Sequence, residues 1–198
     1  MNHYYTNDPD LAHDEQQFNF ELGGQNLTFT TDNGVFSKRT IDYGSRVLIE
    51  TVLAQALPAG NILDVGTGYG PIGLTMAKHF PNRTVVMSDV NQRALGLAER
   101  NAKANQVTNV EIVESAAYQA ITGQFGVVLT NPPIRAGKEV VSEIVAGAAD
   151  FLLPGGQLYV VIQKKQGAPS ALKLMQATYS EAEILKKDRG YYILKAIK

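Results

Sequence analysis

The sequence predicts an α/β fold with a mostly parallel sheet, and three observations predict it. From Asn61 onward, apolar runs that read as strands alternate with helical segments. The stretch Asn61–Gly73, NILDVGTGYGPIG, has the form of a strand, a glycine loop and a helix start. The chain then closes on two strand-like runs joined only by Asp188-Arg189-Gly190, a link too short for a parallel crossover, so that pair must be an antiparallel hairpin.

Met1–Gln17 is polar and reads as an irregular arm. Phe18, Phe20 and Leu22 alternate with polar residues, Gly23-Gly24-Gln25-Asn26 turns the chain, and Leu27 and Phe29 alternate again, which predicts a β-hairpin. After the Asp32-Asn33-Gly34 turn, Ser45 is expected to cap a helix over Arg46–Leu57, whose apolar residues fall on one face. Asn61–Val65 is a buried strand ending at an acid. Pro71 opens the next helix, where a missing N–H costs nothing. Thr84–Ser88 is a strand, and Asn91 caps a helix running to about Asn105. Val110–Val113 and Phe125–Thr130 are the next strands. Lys138–Leu153 is a helix closed by Pro154-Gly155-Gly156, Gln157–Gln163 a strand, and Pro169–Tyr179 a helix. Ala182–Lys187 and Tyr191–Ile197 form the closing hairpin. The expected result is a seven-stranded sheet with helices on both faces and a short N-terminal β-hairpin. The arm and hairpin are assigned to 1–40 and the main domain to 41–198.

Composition narrows the function classes. A chain of 198 residues suffices for one α/β domain with a real core. A net charge of −1 shows no global basic excess for nucleic acid, although a local basic patch remains compatible with it. There is no cysteine, hence no disulfide framework and no thiolate chemistry. The three histidines, His3, His13 and His79, have no metal-ligand spacing, so no metal is expected. The N-terminus is unlike a signal peptide and no apolar stretch is long enough for a membrane span, so a cytoplasmic protein is expected.

The residues that carry chemistry lie where the strands end. Gly66, Gly68 and Gly70 alternate directly behind Asp64, which lets a ligand lie against bare backbone near free N–H groups. Gly68–Gly73 also satisfies G-x-G-x-x-G, so a dinucleotide remains open at this point. Asp89 closes the next strand, where an acid can accept both hydroxyls of an adenosine ribose, and Val90 follows it. Neither feature separates NAD from S-adenosylmethionine. Asn131-Pro132-Pro133-Ile134 does separate them. The prolines stiffen the loop and remove donors, leaving the Asn131 amide oxygen and the Pro132 carbonyl as two acceptors. Two acceptors suit an exocyclic NH₂ group. An oxidoreductase would leave this pattern without a purpose. A non-catalytic RNA-binding module that keeps the cofactor fold is the third reading, and the intact Asp64, Asp89 and Asn131 weigh against it.

On these residues the sequence resembles the small-domain methyltransferases of the ribosomal RNA small subunit methyltransferase C type. The resemblance is carried by GVFSKRTIDYGSRVL (Gly34–Leu48), LDVGTGYGPIGL (Leu63–Leu74), DVN (Asp89–Asn91), LTNPPIRAGK (Leu129–Lys138), VIQKKQGAPSA (Val161–Ala171) and GYYILKA (Gly190–Ala196). It covers nearly the whole chain and looks like a single-domain bacterial branch. It implies a Rossmann-like class I methyltransferase fold, S-adenosylmethionine as cofactor, and methylation of a guanine N2 amine in 16S rRNA. The implied partner is 16S rRNA or the small subunit, with no membrane and no obligate protein partner. Asp64, Gly66, Gly68, Gly70, Asp89 and Val90 would hold the cofactor, and Asn131 and Pro132 would grip the amine. Phe36, Ser37, Pro133, Ile134, Arg135 and Lys138 would contact substrate, with Phe36, Ser37, Asp42, Gly44 and Ser45 forming a flap.

Two departures from the family pattern stand out. Ile134 stands where many amine methyltransferases carry an aromatic, so Phe36 is a candidate to supply the ring. Glu114-Ser115-Ala116-Ala117 puts alanine near the place of an adenine-binding acid. Longer relatives also have an extra N-terminal domain. Lys38, Arg39, Arg135, Lys138, Lys164 and Lys165 are expected to ring the site mouth and hold phosphates. Tyr69 either shields the cofactor or packs as a core ring. Methylation of a protein glutamine amide, or of another RNA, is the alternative within the same chemistry.

Overall fold

A computed structural model describes residues 12–198. The predicted arm over Met1–Gln17 lies mostly outside the described residues. The main sheet has seven strands: β3 (Ile62–Val65), β4 (Val85–Asp89), β5 (Val110–Glu114), β6 (Phe125–Thr130), β7 (Leu152–Gln163), β8 (Glu181–Asp188) and β9 (Tyr191–Ile197). Their order across the sheet is β5-β4-β3-β6-β7-β9-β8. The first five run parallel, and β9 lies antiparallel to both β7 and β8. The chain leaves β3 toward one edge and returns to β6 on its other side. The crevice beyond the carboxyl ends of β3 and β6 is therefore the topological switch point.

Side chains alternate across the sheet and feed two cores. Ile62, Val127 and Leu129 join the face covered by α1 (Tyr43–Leu53), α2 (Pro71–His79) and α3 (Gln92–Ala104). Leu63, Val65 and Val128 join the face covered by α4 (Lys138–Phe151) and α5 (Ala168–Thr178). Burial on both faces explains why β3 and β6 read as unbroken apolar runs rather than alternating ones.

The hairpin strands β1 (Gln16–Leu22) and β2 (Gln25–Thr31) form a separate two-stranded sheet, and Leu27 and Phe29 sink into the first core. The turn is tighter than predicted. Leu22 pairs with Gln25 across Gly23 and Gly24 alone, both at positive φ, as a two-residue turn requires.

Three helices differ at their ends from the sequence reading. Helix α1 begins at Tyr43 and its N-cap is Asp42, not Ser45, because the Asp42 carboxylate accepts the Ser45 N–H at 2.9 Å. It also ends earlier, at Leu53. Helix α4 stops at Phe151, and β7 starts at once with Leu152 opposite Phe125. The Pro154–Gly156 segment is an excursion within that strand, absorbed by a register shift before Val127 pairs with Gln157. Helix α5 starts one residue early, at Ala168, behind left-handed Gly167.

Candidate active site

A cavity of about 570 Å³ opens at the switch point, within the range of small-molecule sites. Its floor is the loop after β3. Gly66 and Thr67 donate their N–H groups to the Ser88 carbonyl of β4 at 2.8 and 2.9 Å, which ties the loop to the neighbouring strand. Gly66 and Gly68 have positive φ, and a Cβ at either would meet open space. That is a bare-backbone cradle.

Asp64 is fully buried and is not on the cavity wall. Its Oδ2 accepts from Thr67 Oγ1 at 2.6 Å and from the Gly73 N–H at 2.8 Å, so it clamps the glycine loop to the first turn of α2. Its Oδ1 has no partner among the described residues. Burial pushes its carboxyl up to about 7, with Asp89 adding to the rise. Gly70 also lies behind the wall, as the left-handed N-cap of α2.

Asp89 is half-buried on the wall, beside Val90. Its two oxygens accept the Gly68 N–H at 2.8 Å and the Asn91 N–H at 2.9 Å. Burial raises its pKa against the pull of these donors. The Val90 N–H is a third backbone donor to this carboxylate, whose roughly four lone-pair sites still leave acceptor capacity for a hydroxyl.

Beyond β6, the Asn131 Nδ2 donates to Asp42 Oδ2 at 2.9 Å and to Ser45 Oγ at 3.0 Å. Asn131, Pro132, Pro133 and Ile134 line the cavity. The segment before α1 closes over it. Ser37 is held at φ +56, its hydroxyl donating to the Thr40 carbonyl at 2.6 Å. The Tyr69 hydroxyl donates to the Ser37 carbonyl at 3.3 Å. The Tyr69 ring packs edge-on to Phe29, as a core ring would, and the residue also borders the cavity. Burial raises its pKa. Phe36, at 43 % exposure, is the one exposed large hydrophobic side chain among the described residues, and it lies at the cavity rim.

The predicted basic ring is only partly assembled. Arg135 lines the cavity, and Arg39, Lys138, Lys164 and Lys165 are exposed. Lys38 drops out: its ammonium is committed to the Asp14 carboxylate and to Asn33 Oδ1. Lys138 is not on the cavity wall. Sequence reading missed Glu143 of α4, which lines the cavity together with Ala116 and Ala117. A helix position gives no local signal of that kind. On the hairpin side, His13, Glu15 and Asp32 bring ligand-type atoms within 4.8 Å of one another. All three have protein partners: His13 pairs with Asp32, and Glu15 with Arg100. Among the described residues, no helix is long and apolar enough to cross a membrane.

The arrangement suits an adenosyl ligand: a glycine cradle with open space above it, a carboxylate with acceptor capacity left, and the half-buried apolar Val90 beside it. Comparisons agree with this geometry. Protein YbxB of Bacillus subtilis (strain 168) is 46% identical over 198 residues, covering 99% of this chain and 98% of that protein. Ribosomal RNA small subunit methyltransferase C of Escherichia coli (strain K12) is 28% identical over 188 residues, covering 93% of this chain and 53% of the relative. A solved structure of the T. thermophilus 16S rRNA N2 methyltransferase RsmC, in complex with AdoMet and guanosine, superposes with a TM-score of 0.85 at 25% identity. That match covers 96% of this chain and 52% of the other. The chain thus spans about half the length of these two methyltransferases. The model of the methyltransferase small domain matches residues 26–195, and the chain belongs to that family.

Proposed function

We propose that the chain is an S-adenosylmethionine-dependent methyltransferase that modifies the exocyclic N2 amine of a guanine in 16S rRNA, in the bacterial cytoplasm. The observation that carries this reading is Asn131, a side-chain acceptor beside the Pro132 carbonyl, in one cavity with the glycine cradle and Asp89. The likeness to relatives named as 16S rRNA or small-subunit rRNA methyltransferases supports the substrate class.

In this reading Gly66 and Gly68 let the cofactor lie against the backbone, and Asp89 accepts its ribose hydroxyls. Asp64 acts from beneath, holding the loop in shape through Thr67 and Gly73. When bound, S-adenosylmethionine supplies a methyl group on a positively charged sulfur, which is a good leaving group. Asn131 Oδ1 and the Pro132 carbonyl accept the two N–H bonds of the amine and aim its lone pair. The chain's contribution is orientation and acceptor geometry. Phe36 offers a ring for the base in place of the aromatic missing at Ile134. Arg135, Arg39 and the Lys164-Lys165 pair supply positive charge for RNA phosphates.

The test is transfer of a tritiated methyl group to small ribosomal subunits and to naked rRNA, both from a strain lacking this protein, with the product identified as nucleosides. N2-methylguanosine is the expected product, and the better acceptor identifies the assembly state of the substrate. Label in protein instead of RNA would replace this reading with glutamine-amide methylation, which the same acceptor pair would serve. Asn131→Ala is expected to abolish transfer while cofactor affinity stays within about threefold, about 0.65 kcal/mol. Full activity in that variant would remove Asn131 from its role.

A further inference from the structure

The Asn131 amide has two ends of nearly equal size, and which end faces the cavity decides what the site can recognise. Both N–H bonds of its Nδ2 are spent, one on Asp42 Oδ2 at 2.9 Å and one on Ser45 Oγ at 3.0 Å. A carboxylate accepts and cannot donate, so Asp42 rejects the flipped amide, which would set oxygen against oxygen. Asn131 Oδ1 is left with no hydrogen-bond partner among the described residues, on a residue that lines the cavity. The same Asp42 oxygen accepts the Ser45 N–H at 2.9 Å and caps α1. Capping alone does not require a partner 89 positions away in sequence.

We propose that Asp42 is a positioning residue that acts through Asn131. With Ser45 it spends both amide donors, so the site offers an acceptor and selects a substrate that arrives as an N–H donor. An amine or amide nitrogen meets that demand; a carbonyl or carboxylate oxygen does not. The flap segment and the amine-gripping Asn131 loop are thereby joined at one oxygen atom. This inference deepens the reading given under Proposed function and rests on it.

The test separates the cap from the positioning role. Serine caps helices about as well as aspartate, but its shorter side chain does not reach Asn131. In the full-length protein labelled with ¹⁵N, the Asn131 side-chain amide is identified as the pair of signals lost in Asn131→Ala. In Asp42→Ser its exchange with solvent is expected to quicken at least tenfold, while the melting temperature and the affinity for S-adenosylhomocysteine change little. Its kcat on undermethylated small subunits is expected to fall by about 10- to 100-fold, more than KM changes, because a misaligned acceptor costs rate rather than encounter. Asp42→Asn presents an oxygen at the same place and is expected to recover most of that loss. An unchanged Asn131 amide in Asp42→Ser, or an unchanged kcat there, would overturn the proposal. If the wild type transfers no methyl group to RNA, the function proposed above fails, and the amide exchange still decides the role of Asp42.

Discussion

Burial pushes the Asp64 carboxyl up to about 7, with Asp89 adding to the rise, against the two hydrogen bonds that one oxygen accepts from Thr67 and Gly73; the other oxygen meets no donor among the described residues. The sign of its effect on stability follows. The unfolded chain releases this proton near the ordinary value of 3.8, and the folded chain keeps it up to about 7. Between those values the folded state binds more protons, so stability falls as pH rises. The contribution is complete below the lower value and is lost through the upper one. Asp64→Asn cannot ionise and keeps an oxygen for Thr67 and Gly73. The wild type is therefore expected to lose stability relative to Asp64→Asn between pH 5 and pH 8, by on the order of a few kcal/mol. Thermal melts of both proteins at the two pH values check this, and parallel pH profiles would refute it. Residue identity made Asp64 visible in the sequence. Its place behind the cavity wall was not visible, because that depends on where Thr67 and Gly73 turn their donors.

At the scale of the element, the strand–loop–helix unit contains glycines with opposite duties. Gly68 has φ +59, and a Cβ there would meet nothing within 4 Å, so its bareness faces the cavity. Gly73 lies inside α2, where a Cβ would come within 2.6 Å of Met87 Cγ and 3.0 Å of Asp64 Oδ2. Gly73→Ala is expected to cost about 1–3 kcal/mol by overpacking helix against strand. Gly68→Ala is expected to cost about 1–2 kcal/mol for the left-handed backbone and, unlike Gly73→Ala, to put a methyl group where the cofactor would lie. Its loss of S-adenosylhomocysteine affinity should exceed tenfold. Denaturant titration and calorimetric binding of both variants separate the two duties; equal binding losses would argue that the loop acts only as structure. Alternating glycines after a strand are legible in sequence because the chemistry is local. The need for Gly73 comes from Met87 on another strand, which no local pattern reports.

Across the whole molecule, α3 completes the N-terminal hairpin as if it were a third strand. Asn101 accepts the Thr30 N–H at 2.7 Å and donates to the Thr30 carbonyl at 3.0 Å; Asn105 does the same for Thr28 at 2.8 and 2.7 Å. The free edge of β2 is thereby covered by side-chain amides, which protects it from pairing with another chain. Asn101 is fully buried and also donates to the Tyr69 carbonyl at 2.9 Å, so the hairpin is tied to the glycine loop. Asn101→Ala leaves buried backbone groups unpaired and is expected to cost about 2–4 kcal/mol. The midpoint of urea unfolding measures it, and a loss below about 1 kcal/mol would mean that water replaces the amide.

The amino-acid sequence by itself determined the alternation of strands and helices, the antiparallel close, the glycine loop, the acid ending β4 and the acceptor-rich Asn-Pro-Pro at the end of β6. Each of these is written in neighbouring residues, because strand burial, turn conformation and proline chemistry act over a few positions. Only the tertiary structure decided which end of the Asn131 amide faces the cavity, that Asp42 rather than Ser45 caps α1, that Lys38 is held by Asp14, and that Asn101 and Asn105 close the hairpin edge. Those outcomes depend on which donors and acceptors meet across long stretches of chain. An amide or a carboxylate offers several equivalent ways to bond, and only the partner brought to it by the fold selects one.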